Sequence, residues 1–346
     1  MARRSVSIID IARAAGVASS TVSRALRDSP LISADVRTQI QRLAQEMGYT
    51  PNGIAQSLQT RRTNTVGLVV PSIADPFFGD VMRGVEEVAR PAGLSIFLSA
   101  GHNDARQEAE AIETFHRRRV DGILVASSRL SDGTIQLLER VRVPIVLVNS
   151  NAEARHELLH AVAVDDHHGA RLAVEHLLAL GHRAIGYLGA GNRPGANARR
   201  LAGYRATLAA AGVPPHDAWV AIAPVEDALS VDDVAAGQAL LHPLLVAGVT
   251  AVFCFNDMVA TGVLIACREL GLAVPRDMSV VGYDDIDFAR YVTPALTTVR
   301  QPKLELGRLG MQMLLELLSD RPAQSQVLLP ELVERASTAE ISGPRP

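Results

Sequence analysis

The sequence holds several short runs whose residue types and spacing could do chemistry. His156-Glu157-Leu158-Leu159-His160 matches H-E-x-x-H, in which two histidines one helical turn apart bind zinc and the glutamate acts as base. That chemistry needs a stable helix, a third ligand and a cleft, whereas the pentad lies in a short connection between apolar runs at Ile145 and Val162. Asp165-Asp166-His167-His168 has metal-binding residue types but opens a helical stretch, where aspartate serves as an N-cap. Gly189-Ala190-Gly191-Asn192-Arg193-Pro194-Gly195 is glycine-rich yet lacks the G-x-G-x-x-G spacing of a dinucleotide loop. Cys254 and Cys267 both sit in apolar surroundings, as buried reduced thiols do. No serine or cysteine nucleophile set stands out, so neither catalysis, a metal nor a cofactor is expected. What remains are carboxylates, amides and aromatics after apolar runs: Asp75 with Phe77 and Phe78, Asn256-Asp257, and Tyr283-Asp284-Asp285. At the C-terminal ends of parallel strands such groups face the crevice where α/β folds bind ligands.

The elements that would position them divide in two. The first 50 residues read as three short helices. Ser7 with Asp10 makes a capping-box start, Ile8, Ile11, Ala12 and Ala15 form one face, and Gly16 ends that helix. Val22, Ala25 and Leu26 repeat at helical spacing within 18–26, and Asp28-Ser29-Pro30 makes a turn. Ser33 then caps a helix striped by Val36, Ile40, Leu43 and Met47, ended by Gly48. Helix, glycine turn, helix and packing helix is the helix-turn-helix pattern. From Val66 onward, Val- and Ile-rich runs at 66–70, 94–99, 122–126, 145–148, 162–164, 185–188, 252–255 and 280–283 alternate with helical stretches. That alternation predicts parallel sheets covered by helices, and so many strands over this length divide into two lobes.

Composition sharpens the division. Residues 1–62 carry nine arginines against Asp10, Asp28, Asp35 and Glu46, a charge of +5, so with −3 overall the remainder carries −8. A basic head on an acidic body suits a phosphate-binding module joined to a domain of another kind. No apolar stretch reaches the ~20 residues of a membrane span. The N-terminus has a basic start without the apolar core or cleavage site of a signal peptide, which predicts a cytoplasmic, nucleoid-associated protein without a membrane partner.

Val6 to Leu26 closely resembles the start of the LacI/GalR repressor family, with A-G-V-x-x-x-T-V-S-R-x-L followed by Gly48-Tyr49-Thr50-Pro51-Asn52 and Ala55 and Leu58. The resemblance runs through the whole chain. It implies a sequence-specific DNA-binding regulator, acting as a homodimer on a pseudo-palindromic operator and controlled by a small molecule, a sugar or sugar derivative. The fold it implies is α+β overall: an all-α headpiece, then a two-lobed α/β body like the periplasmic sugar-binding proteins. Its parts would be the DNA-binding domain 1–50, a hinge 51–65 and the effector and dimerisation domain 66–346. The N-lobe would comprise 66–160 plus 302–325, and the C-lobe 161–297 plus 326–340. With 18–26 as recognition helix, Ser19, Ser20 and Arg24 are placed to reach base edges, arginine gripping guanine through two hydrogen bonds. Ser7, Thr21 and Ser23 suit phosphates. Pro51–Leu58 resembles the hinge helix, too short to hold alone in water. Asn52 and Ala55 would lie at the minor groove, and Leu58 would wedge a base step apart.

In the body, Asp75-Pro76-Phe77-Phe78 resembles the D/N-P-F-F turn that lines sugar sites. Arg200 matches the family's ligand-facing arginine, and Asn103, Asn149, Asn256, Tyr283, Asp284 and Gln301, near strand ends or the last crossover, complete the expected effector set. Three departures stand out. Ala18 replaces a capping serine, Asn149-Ser150 stands where Asp-Arg is frequent, and Ala198 replaces a second arginine. The cleft is therefore expected to be less charged than in many relatives, as a neutral polyol or pentose would require. Two other readings of the body remain at this point, a solute-binding receptor and a Rossmann-like enzyme. The first would call for a signal peptide and the second for a catalytic set.

Overall fold

Apolar spacing and helix caps build the N-terminal unit. A computed structural model describes residues 6–49, 62–102, 104–126, 140, 143–150, 160–191, 193–224 and 232–341. The chain forms two compact units, residues 1–63 and 64–346. In the first, helix α1 (Ile8–Ala15) begins at the reciprocal Ser7–Asp10 capping box and ends at Gly16, whose φ of +66° suits a residue without a Cβ. Helix α2 (Ser19–Ala25) starts from Ala18 with no side-chain cap. Helix α3 (Ala34–Glu46) follows Ser33, whose hydroxyl makes no cap bond, contrary to the sequence expectation. Ile11, Ala12, Val22, Ala25, Ile40 and Ala44 form the shared core, and Val36, Leu43 and Met47 pack around it.

The second unit runs in chain order as strand–helix pairs. First come β1 (Thr65–Val70), α4 (Pro76–Ala89), β2 (Ser95–Ala100), α5 (Ala105–Arg117), β3 (Gly122–Val125), β4 (Ile145–Val148) and β5 (His160–Val164). Then follow α6 (Asp166–Ala179), β6 (Ile185–Ala190), α7 (Pro194–Ala210), β7 (Val220–Ala223), α8 (Asp233–Val246), β8 (Ala251–Cys254) and α9 (Asp257–Glu269). The last are β9 (Ser279–Asp284), α10 (Phe288–Tyr291), β10 (Thr297–Arg300), α11 (Lys303–Leu318), β11 (Gln326–Leu328) and β12 (Glu331–Val333).

These strands make two sheets of the same design. One has the order β2-β1-β3-β4-β5-β11 and is wholly parallel; the other is β7-β6-β8-β9-β10-β12, parallel except for β12. In each, strand order reverses beside the first strand, the switch point where crevices form at the strands' carboxyl ends. Helices bury both faces. Leu68, Phe77, Val81, Leu124, Val146 and Leu306 share one core layer of the first lobe, and Tyr187, Tyr204, Phe253 and Val281 one of the second. Helices α4 and α11 cross at two glycines. A Cβ on Gly84 would stand 2.1 Å from the Leu304 carbonyl oxygen, and one on Gly307 2.0 Å from that of Val81.

The lobe boundaries need correction. Strand β5 pairs with β4, and β11 with β5, so 161–164 and 326–328 belong to the first lobe, not to the second as the sequence suggested. The reason is burial: Ala161–Val164 are covered on both faces, and only a position inside the first sheet supplies two apolar layers. The chain crosses between lobes at Asp165, after Gln301 and after Leu328, and the Asp165 amide donates to the Leu328 carbonyl at 3.0 Å, tying two crossings together.

Candidate functional site

Two sets of side chains are candidates for contact with other molecules. The first lies on α2. Ser19, Ser20 and Arg24 are exposed, and among the described residues their side chains bond to nothing in the protein. Their neighbours are engaged. The Ser7 hydroxyl donates to Asp10 Oδ2 at 2.6 Å, and Arg27 donates to the Ser23 hydroxyl at 2.9 Å. Thr21 is half-buried. A helix whose outer face carries an unbonded arginine and two unbonded hydroxyls near its N-terminus is equipped to meet a groove of acceptors and phosphates.

The second set converges between the lobes of the body. Every contributor leaves the carboxyl end of a strand: Pro71, Phe77 and Phe78 after β1, Ala126 after β3, Asn149 after β4, Arg193 and Arg200 after β6, Phe255 after β8, Asp284 at the end of β9 and Gln301 after β10. Phe77 and Phe78 meet edge to face, 5.0 Å between centroids, and anchor the apolar wall. Asn149 and Asp284 hold positive φ angles, +57° and +107°. Such backbone is costly for residues with a Cβ and survives only where surrounding bonds fix it. At Asp284 they do: Gln301 donates to its carboxylate at 2.6 Å, and Lys303 Nζ donates to the Asp284 and Asp285 carbonyls at 2.6 and 2.7 Å. Asp285 in turn accepts from Arg300 and Arg335.

Arg200 is the most constrained cation. It donates to Asp166 at 2.9 Å and to the Phe255 carbonyl, lies 3.6 Å over the Tyr283 ring and 4.5 Å from that of Phe255, and has Asp284 at 3.9 Å. Arg199 grips the other oxygen of Asp166. Burial pushes the Asp284 carboxyl up to about 6, against the pull of Arg200 and Arg193. Burial, and the charge of Asp284, also push the Asp257 carboxyl well above its usual range; it accepts from Thr298 and from the Ile286 amide. Arg193 spans the crevice, 2.8 Å from Asp233 and 3.4 Å from Asp75.

Comparison with known proteins matches this architecture part by part. Residues 7–52 match the family described as bacterial regulatory proteins, lacI family, and residues 174–338 match a periplasmic binding protein-like domain. The HTH-type transcriptional regulator GalR of Escherichia coli K12 is 34% identical over 97% of this chain and 96% of its own length. The transcriptional repressor PurR of Serratia proteamaculans is 32% identical over 96% and 97%. The chain belongs to the LacI family. Among solved structures, the lac repressor dimer bound to operator and the anti-inducer ONPF superposes with TM-score 0.85 at 28% identity, covering 97% of this chain and all of that one. A CelR–cellobiose complex gives 0.72 at 30% identity, over 96% and 99%. A LacI family regulator from Enterococcus faecium with bound ribose gives 0.70 at 31%, over 80% and 100%.

As a LacI family member the protein is a DNA-binding transcriptional regulator with a ligand-sensing body, in a family that is not enzymatic. The H-E-x-x-H run lies outside the described residues except for His160, which starts β5. Asp165 is the N-cap of α6, accepting from the His168 amide, as its sequence position suggested. Among the described residues no cluster of His, Cys, Asp or Glu could hold a metal, and no helix is long and apolar enough to cross a membrane.

Six of the ten sequence-predicted effector residues line the crevice: Phe77, Phe78, Asn149, Arg200, Asp284 and Gln301. Two stand behind it: Tyr283 is fully buried beneath Arg200, and Asn256 caps α9 and donates to Asp233 at 2.6 Å. Asp75 stands at its edge, one oxygen capping α4 through the Phe77 amide and the other 3.4 Å from Arg193. Asn103 and the hinge residues Asn52, Ala55 and Leu58 lie outside the described residues. Sequence reading missed Arg193, Asp166 and Asp233. Asp166 was within reach, since the Asp-Asp pair opening α6 was noticed but read only as a helix cap. The partners of Arg193 come from distant helices, and no local pattern announces them.

Proposed function

We propose that the protein is a homodimeric, cytoplasmic, nucleoid-associated repressor that binds a pseudo-palindromic operator and is controlled by a sugar or sugar derivative held between the lobes. Ser19, Ser20 and Arg24 read bases; Thr21 and Ser23 position the helix on phosphates, and Ser7 joins them by exchanging its bond to Asp10. Asn52, Ala55 and Leu58 form the hinge that enters the minor groove when two subunits and DNA hold it. Asp75, Phe77, Phe78, Asn103, Asn149, Arg200, Asn256, Tyr283, Asp284 and Gln301 form and support the effector site. Phe288 and Tyr291, exposed large apolar residues on the second lobe, supply surface for pairing of subunits.

The observation that carries the effector reading is the convergence of aromatic, amide and carboxylate side chains from five strand ends on one crevice. Relatives of the same fold that hold cellobiose and ribose favour a sugar. A gel-shift series on the DNA upstream of the chain's own gene tests the whole. Specific retardation that candidate sugars alter is expected, and Leu58→Ala weakens it without changing sugar binding. No specific retardation with or without sugars overturns the regulator reading, and equal operator affinity for Leu58→Ala removes the wedge.

A further inference from the structure

The charges around the crevice are matched to one another with unusual completeness. One Arg193 nitrogen lies between two carboxylates on opposite walls: Asp75, at the start of α4 in the first lobe, and Asp233, at the start of α8 in the second. Both acids are placed by their helices' first turns, and Asn256 steadies Asp233 from behind. Arg200 is likewise shared between Asp166 and Asp284, and Arg199 is spent on Asp166. Four carboxylates thus stand against three guanidiniums. An anion-binding crevice needs the reverse, a guanidinium whose fork is free to meet a carboxylate or phosphate.

Two acceptors left without partners point the same way. Gln301, 2% exposed and lining the crevice, has its Oε1 buried and unbonded, and so has Asp233 its Oδ1. Both are acceptors, and each calls for an O–H or N–H donor. The enclosed space measures about 30 Å³, room for a water or two. A sugar-sized molecule therefore enters only if the walls part or a side chain yields. Of the two crevice arginines, Arg200 is 4% exposed and fixed by two rings and a carbonyl, while Arg193 is 17% exposed and held across the gap chiefly by its two acids.

We propose that Arg193 is the specificity-determining latch of the crevice: it joins the lobes through Asp75 and Asp233, offsets their charge, and yields to an uncharged, hydroxyl-rich effector whose hydroxyls take over those carboxylates. This rests on the crevice being the effector site. Sugar acids and sugar phosphates are rejected because, among the described residues, no crevice cation is free to receive them. Loss of the latch leaves two like charges facing each other, which pushes the lobes apart and spares the effector the work of displacing a guanidinium.

The test uses the full chain, wild type, Arg193→Gln and Arg193→Lys, with folding checked by thermal melting. Calorimetric titrations compare D-ribose, D-galactose and xylitol with ribonate, galactonate and ribose 5-phosphate. Binding confined to neutral compounds is expected, tightening at least tenfold in Arg193→Gln and less in Arg193→Lys, which keeps the charge but not the fork. Small-angle scattering without added ligand should show a larger radius of gyration for Arg193→Gln than for wild type, reversed by the bound sugar. Tighter binding of an acid or phosphate than of its neutral counterpart, weaker neutral binding in Arg193→Gln, an unchanged radius, or no neutral compound bound overturns the proposal. Operator binding is measured separately: its absence beside intact neutral-sugar binding counts against the regulator reading and not against the latch.

Discussion

As the proposed readers of DNA and of a small effector, the outer face of α2 and the crevice of the body face opposite recognition problems. On α2 the exposed Ser19, Ser20 and Arg24 side chains are left unbonded, whereas Ser23 accepts from Arg27 and Ser7, at the start of α1, is bonded to Asp10. Among the described residues of the crevice, nearly every charged group already has its partner, down to carbonyls that hold Lys303. DNA brings a dense row of phosphates and acceptor edges, so a reader needs free donors and can tolerate their motion. A small neutral ligand brings only a few hydroxyls. It must find acceptors fixed in advance, because ordering loose side chains would consume the little energy it offers.

Substitutions separate the two designs. The largest effect is expected for Arg200→Ala, which leaves the buried Asp284 with less compensation and strips a cation from two aromatic rings. Breaking a buried pair costs about 3–5 kcal/mol, so the body's melting temperature should fall and the effector response should vanish. A full response with unchanged melting would mean that the network is ornamental. Next comes Arg24→Ala, on a side chain with no bond to lose. Operator affinity should fall by about 1–3 kcal/mol, while stability stays within ~0.5 kcal/mol; a marked loss of stability would show that Arg24 is structural after all. The smallest effect is expected for Ala18→Ser, which restores the missing cap of α2. It should stabilise the headpiece by about 1 kcal/mol, read in its own melting transition, without altering effector binding.

The sequence exposed the elements with strong periodicity and hid those without it. The capping box at Ser7 and the alternating strands were legible because caps and buried runs are local. Strand β7 was not, being four residues long and half-exposed at a sheet edge. Helix α8 was missed because it is apolar on nearly all sides and contains Pro243, so no amphipathic stripe appears. That omission hid Asp233, and with it the partner of Arg193. Strand β5 was assigned to the wrong lobe since a buried apolar run looks the same in either sheet. In the crevice, single residues that match a family pattern were found, whereas the pairings that decide their charge state depend on contacts between distant helices.

The most direct test of an effector-controlled regulator is reciprocity, measured on the full chain with operator DNA and the sugar that binds most tightly. Operator affinity is titrated by fluorescence anisotropy with and without saturating sugar, and sugar affinity by calorimetry with and without operator. The sugar should change operator affinity by roughly 5–150-fold, and the operator should change sugar affinity by the same factor. Sugar bound in the crevice with operator affinity unchanged would contradict the account.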